Sequence, residues 1–214
     1  MASKTPKVIA IASQKGGSGK TTLAVHIATQ AAQKGFESCV VDTDPQATAA
    51  AWSDWRGDFL PVVVTSPPAR LGRTIASAQK NGVDFLVIDT PPHADAAARE
   101  AIKVADLVLI PTKPRAFDLA ALEPIADLVS FAQKPAYVVL NSVPAGATVL
   151  AEEAKSAAQE IGLEICPVTL GDRAAFHRSS AKGETASESE PKGKAAKEIA
   201  KLWKWLTKEI ALAG

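Results

Sequence analysis

Short apolar runs of Val, Ile and Leu recur along the chain, and longer alanine-rich stretches separate them. The runs fall at 8–12, 38–41, 62–64, 85–88, 107–110, 137–140 and 163–169. They are continuous instead of alternating with polar residues, which predicts strands covered on both faces. The stretches between them predict helices near 20–34, 46–56, 68–80, 94–104, 117–133 and 147–161. Strand–helix alternation of this kind argues for an α/β fold with a mainly parallel, twisted β-sheet flanked by helices on both faces. Residues 182–194 break the pattern: they are rich in Glu, Ser, Gly and Lys and read as an exposed loop. A last helix is expected over 195–213. No internal repeat is visible, so 1–214 reads as one α/β domain with a C-terminal helical appendix.

That last helix has two faces. At about 100° per residue, Ile199, Leu202, Trp203, Leu206 and Ile210 fall on one stripe. Lys197, Lys201, Lys204 and Lys208 fall opposite, within about 60° of one another. Trp205 lies outside the apolar stripe. The stripe reads as a core-docking face. The lysines carry two readings, a solvated surface or a ridge that tracks nucleic-acid phosphates.

Composition narrows the field only a little. A chain of 214 residues supplies one sizeable core. A net charge of +1 makes no whole-molecule case for nucleic acid or membrane, so any basic surface is local. Cys39 and Cys166 stand far apart in apolar runs without ligand spacing, and read as buried, reduced thiols. Neither a signal-peptide pattern nor a run long enough to span a bilayer is seen, which places the expected location in the cytoplasm.

The chemistry is concentrated after the first strand, in SQKGGSGKTT at 13–22. Glycines at 16, 17 and 19 let backbone N–H groups turn inward around phosphate oxygens, and the next helix adds its positive dipole end. A lysine and a hydroxyl close the loop. Lys20 suits the β- and γ-phosphates, and the Thr21 hydroxyl suits Mg²⁺. The strict G-x-x-x-x-G-K-[ST] pattern fails, since Gln14 stands where it asks for glycine, and a second lysine, Lys15, comes next. Further on, VDTDPQ ends the second run with Asp42 and Asp44. One residue apart on a continuing strand, they would face the same side at the sheet edge where ligands bind. Capping of the next helix is the other reading. FLVID supplies Asp89 at the end of an apolar run, the position that contacts Mg²⁺ through water. His93, in the next loop, reads as a loop or cap residue, and no second His or Cys stands near it in sequence to suggest a metal site.

These motifs resemble those of the ParA/MinD family of deviant Walker A ATPases over nearly the whole chain. The resemblance implies ATP and Mg²⁺ as cofactors, with Lys15, Gly16, Gly17, Ser18, Gly19, Lys20, Thr21 and Thr22 around the phosphates. It implies that Lys15 reaches across an ATP-dependent homodimer to the partner's nucleotide, while Lys20 serves its own. Asp42 would support the hydrated Mg²⁺ with Thr21 and Asp89, and Asp44 would position or activate the attacking water. Asn141, Gly171 and Asp172 fall at the adenine side, although Ser142 and Gly171 depart from the family's usual residues. The resemblance is greatest to small plasmid-type members, because the phosphate loop begins almost at the N-terminus with no room before it for a helix-turn-helix domain.

The implied function is a slow, partner-stimulated ATPase that dimerises on ATP and binds DNA nonspecifically. It would position a plasmid, a chromosome or a protein cluster, and be nucleoid-associated. The implied activator is a ParB-like or other small adaptor protein, and Lys201, Lys204 and Lys208 are the candidate DNA contacts. A MinD-like membrane-associated ATPase is the alternative; it needs the last helix to bury its apolar stripe in lipid. An iron–sulfur ATPase would need cysteines after the switch motifs, and neither Cys39 nor Cys166 is so placed. A metabolic kinase or synthetase would need an acceptor-substrate module, which is not seen.

Overall fold

The structure, a computed structural model, describes residues 5–93 and 95–212. Positions 94 and 213, expected at helix ends, lie outside the described residues. Seven strands form one sheet: β1 (Lys7–Ile11), β2 (Ser38–Asp42), β3 (Val62–Thr65), β4 (Phe85–Asp89), β5 (Leu107–Thr112), β6 (Ala136–Leu140) and β7 (Glu164–Ile165). Their order is β3-β2-β4-β1-β5-β6-β7, every pairing is parallel, and β1 is central. The helices are α1 (Lys20–Gln33), α2 (Thr48–Arg56), α3 (Leu71–Lys80), α4 (Asp95–Val104), α5 (Ala116–Leu119), α6 (Glu123–Ala132), α7 (Thr148–Glu160), α8 (Ala174–Ser180), α9 (Ala186–Ser189) and α10 (Lys194–Leu212).

The continuous apolar runs have the expected cause. In β1, Ile9 and Ile11 face a core built with α1, α2 and α10, while Val8 and Ala10 face a second core built with α4, α6 and α7. The same parity holds in β2, where Val40 enters the first core and Cys39 and Val41 the second. Both faces are covered, so apolar side chains suit both parities; Ser38, at the start of β2, is a buried polar exception.

Helix α10 covers the first core as its periodicity predicts. Ile199, Leu202, Trp203, Leu206 and Ile210 are all buried, and Trp203 meets Phe85 edge to face at 5.0 Å. Trp205, off the stripe, stacks edge-on against Tyr137 at 4.9 Å and carries the helix's packing out towards β6. Lys197, Lys201, Lys204 and Lys208 are exposed on the opposite side.

Four expectations need correction. The run 163–169 is a strand only at Glu164–Ile165, because Pro167 has no N–H with which to continue the ladder. The helix expected over 117–133 is broken into α5, a 3₁₀ turn at Ala120–Leu122 and α6. Pro124 lacks the amide that would have bonded back to the preceding turn. Helix α8 was not expected at all.

The fourth correction is the largest: residues 182–194 are not simply an exposed loop. Gly183, Thr185 and Ala186 are buried, and Thr185 and Glu188 form a reciprocal capping box that starts α9. The segment is bonded to side chains of both α1 and α2. His26 Nε2 accepts the Ala186 N–H at 3.0 Å, and Trp52 Nε1 donates to the Glu184 carbonyl at 3.3 Å. Arg56 donates to the Gly183 carbonyl at 3.0 Å and pairs with Glu188 at 2.7 Å. Gly183, at φ +67°, passes so close to α2 that a Cβ would lie 2.4 Å from the Arg56 nitrogen. The polar composition that suggested solvent instead supplies these bonds.

Candidate nucleotide site

The phosphate loop leaves the C-terminal end of the central strand β1 and opens α1, at the sheet edge where open α/β folds bind ligands. Gly17 and Gly19 have φ of +70° and +95°, a conformation that side chains with a Cβ rarely adopt. At Gly19 there is also no room, since a Cβ would lie 2.2 Å from Asn141 Nδ2. That amide donates to the Ser18 carbonyl at 2.8 Å, so Asn141, just after β6, buttresses the loop directly.

Gly16, Gly17, Gly19, Lys20, Thr21 and Thr22 line a cleft of about 260 Å³ together with Asp44, Thr90 and Pro92. Lys20 points inward. It is buried, and its ammonium donates to the Lys15 carbonyl at 3.1 Å, curling the loop around it. Burial lowers its pKa, while Asp89 and Asp44 oppose that shift by favouring the cation. Lys15 differs: it is half-exposed, and its ammonium makes no hydrogen bond or ion pair among the described residues.

The three aspartates are not equivalent. Asp89 is fully buried at the end of β4, and one carboxylate oxygen accepts the Thr21 hydroxyl at 2.6 Å. Its other oxygen, Oδ1, is buried with no partner among the described residues. Burial is the main cause that pushes its pKa up to about 7; the charges of Asp42 and Asp44 push the same way, and the Thr21 bond and Lys20 oppose it. An orphaned carboxylate oxygen beside a hydroxyl is a hard-oxygen donor set, and it fits Mg²⁺. Among the described residues no three His, Cys, Asp or Glu side chains cluster as a metal cage. Such a cation would therefore take most of its ligands from phosphate and water, as Mg²⁺ commonly does.

Asp42 is occupied by backbone. Its Oδ1 accepts the Asp44 N–H at 3.0 Å, and its Oδ2 accepts the N–H groups of Ala49 and Ala50, at 2.9 and 3.2 Å, at the start of α2. The capping reading thus holds for Asp42, whatever it also does for a cation. The strand ends there, so Asp44 is not aligned with it by strand spacing. A tight turn brings Asp44 to the cleft, with its Oδ1 accepting the Gln46 N–H at 2.9 Å. Of the residues expected at the adenine side, Gly171 has its N–H committed to Glu198 on α10 at 3.0 Å, and that carboxylate also holds Arg173 at 2.8 Å. Asp172 is exposed beside it.

Several contributors carry no motif. The Gln14 side-chain amide is bonded to the Asp95 carboxylate, and its backbone carbonyl accepts the His93 N–H at 3.2 Å, tying the phosphate loop to the loop after β4. Thr43 Oγ1 donates to the Asp89 carbonyl at 2.7 Å, and Thr90 Oγ1 donates to the Ile11 carbonyl at 2.9 Å. His26, two turns into α1, bonds through Nδ1 to the Thr22 carbonyl at 2.7 Å, and burial pushes its pKa down to about 4. The ring must be neutral to accept the Ala186 N–H. Between pH 6.5 and 4 the unfolded chain takes up this proton and the folded one does not. His26 stabilisation is therefore complete above about pH 6.5 and is lost as the pH falls towards 4, by roughly 3 kcal/mol. Urea midpoints measured across that window should fall more steeply in the natural protein than in His26→Gln; parallel curves would contradict the assignment.

Known proteins resemble this chain in sequence and in fold. Residues 9–186 match the CobQ/CobB/MinD/ParA nucleotide binding domain. The maintenance of carboxysome distribution protein A of Halothiobacillus neapolitanus is 28% identical over 205 residues, covering 92% of this chain and 94% of that one. Protein ParA of Rhizobium radiobacter is 32% identical over 115 residues, and the match spans 52% of this chain and 50% of that protein. The structure of MinD from Pyrococcus horikoshii with Mg-ADP superposes with a TM-score of 0.77 at 18% identity, covering 98% of this chain and 99% of that one. With the family match extending from the central strand to α9, the chain belongs to the CobQ/CobB/MinD/ParA nucleotide-binding family.

Proposed function

We propose that this protein is a positioning ATPase that dimerises on ATP, binds DNA without sequence preference and releases it when an adaptor protein stimulates hydrolysis. The observation that carries this reading is the division between the two loop lysines. Lys20 is turned into its own cleft, whereas the Lys15 ammonium is unpaired among the described residues. A cation supplied across a dimer neutralises phosphate charge and makes pairing depend on the nucleotide. The same edge of the sheet carries exposed apolar side chains, Phe117 on α5 and Val149 and Leu150 at the start of α7, which a facing subunit would cover.

Within the cleft the loop amides and Lys20 would bind and orient the phosphates, and Thr21 and Asp89 would hold Mg²⁺, which supplies charge stabilisation on the phosphoryl oxygens. Asp44, on the cleft wall, would orient the attacking water. The long match to a carboxysome-distribution protein makes a protein cluster a cargo class to set beside plasmid and chromosome. Among the described residues no helix is long and apolar enough to cross a membrane. The apolar stripe of α10 is spent on the core, which weighs against the lipid-binding alternative.

The lysine ridge supplies the test. Replacing Lys201, Lys204 and Lys208 with Gln should weaken ATP-dependent binding to unrelated duplexes. The slope of log affinity against log salt should fall by about 0.9 for each phosphate that a lysine had neutralised. An unchanged slope removes α10 from the DNA surface, and liposome binding by the natural protein in parallel would favour the membrane reading.

A further inference from the structure

We propose that the open edge of β3 and the groove beside it form a docking strip for an extended segment of a partner protein, with alternating apolar side chains and carboxylates at one end. β3 is the last strand on its side of the sheet, and its outer edge has no backbone partner among the described residues. A bare edge is a template for a further strand. It is also apolar: Val62 is 52% exposed, and Phe59, in the chain leading into the strand, is 75% exposed.

On the side facing α3 the edge borders a groove of about 670 Å³. Cys39, Val62 and Val64 contribute its apolar floor, and Arg73 and Ser77 its helical wall. Arg70 stands at the end nearest the C-terminus of β3. Arg70 and Arg73 are exposed and make no ion pair among the described residues. An extended segment laid along β3 would pair its backbone with the open edge and drop alternate side chains onto the valines. Carboxylates at its end would meet two guanidiniums in the fork geometry that arginine favours.

A second copy of this chain does not supply that match. Val62, Val63, Val64 and Thr65 carry no carboxylate, and Glu37, which lines the groove, leads into β2, one strand further in. Asp58 stands ahead of β3, but Pro61 has no N–H and the Leu60 carbonyl is taken by Arg56, so the edge pairing of a second copy does not extend to it. The groove shares Thr65, Ser66 and Pro67 with a smaller cleft that holds Asp42 and Asp44. The acidic end of a bound segment therefore lies beside the nucleotide site.

The test uses a phage-displayed library of nine-residue peptides selected on the full chain, without nucleotide. Enriched peptides should alternate apolar residues and carry Asp or Glu at one end. Once synthesised, they should slow amide exchange at Val62–Thr65. The Arg70→Glu/Arg73→Glu protein should bind them at least tenfold more weakly while its thermal unfolding stays unchanged. Failure to enrich, protection elsewhere, or equal binding by the double variant would overturn the proposal. Self-association that protects β3 without peptide would assign the edge to a second copy instead.

Discussion

Lys20→Ala protein is expected to bind ATP at least 10- to 100-fold more weakly than the natural chain, roughly the effect of removing a buried charged hydrogen-bond donor. Lys15→Ala protein is expected to bind ATP within about twofold of natural affinity, because binding within one subunit does not use that ammonium, yet to stay monomeric and hydrolyse little. The structural basis is the contrast between a buried Lys20, bonded to the loop, and a half-exposed Lys15 whose ammonium is unpaired among the described residues. Equilibrium ATP binding, paired with sedimentation in ATP, separates the two. A Lys15→Ala protein that pairs normally would end the trans assignment, and one that fails to bind ATP would place that lysine in its own subunit's cleft.

The second large effect is expected at Asp44. Its carboxylate lines the cleft and accepts the Gln46 amide within its own turn, so Asp44→Ala should leave the fold and the phosphate contacts intact. Turnover should fall by about two to four orders of magnitude, and the ATP-bound dimer should persist and co-purify with its adaptor. Asp42→Ala is the instructive contrast. It strips the acceptor from three backbone N–H groups and should cost about 1–3 kcal/mol of stability before any effect on turnover is considered. Near-natural turnover in Asp44→Ala with adaptor present would remove it from the chemistry.

Legibility in the sequence tracked the range of the interactions. The sheet could be read because each buried strand writes a run of Val, Ile and Leu, and the phosphate loop because glycine, lysine and threonine must stand in order along a few residues. The stripe on α10 could be read because a helix repeats its buried face. Bonds between distant segments could not be read. Nothing local marks Arg56, His26 and Trp52 as partners of 183–188, since a polar segment that bonds to a neighbouring helix has the composition of one that bonds to water. The placing of Asp42 and Asp44 could not be read from their spacing either. Their spacing suggested a strand running on, whereas the strand stops at Asp42, whose carboxylate caps the start of α2. The bond between Gln14 and Asp95 likewise joins positions 81 residues apart.

The central position of β1 delays its enclosure during synthesis. Its two neighbours are β4 and β5, and α10, the helix that closes the core over α1, follows all seven strands. A ribosome adding roughly 5–20 residues per second needs about 5–20 s to go from the end of β1 to the end of β5, and longer to reach α10. Until β4, β5 and α10 have all been made, Ile9 and Ile11 lack part of the sheet, and Ile27 the helix, that bury them in the finished protein. The segment that would handle the nucleotide is synthesised before the strands and the helix that enclose it. Demand for a chaperone during translation should therefore peak while its apolar surroundings are still being made.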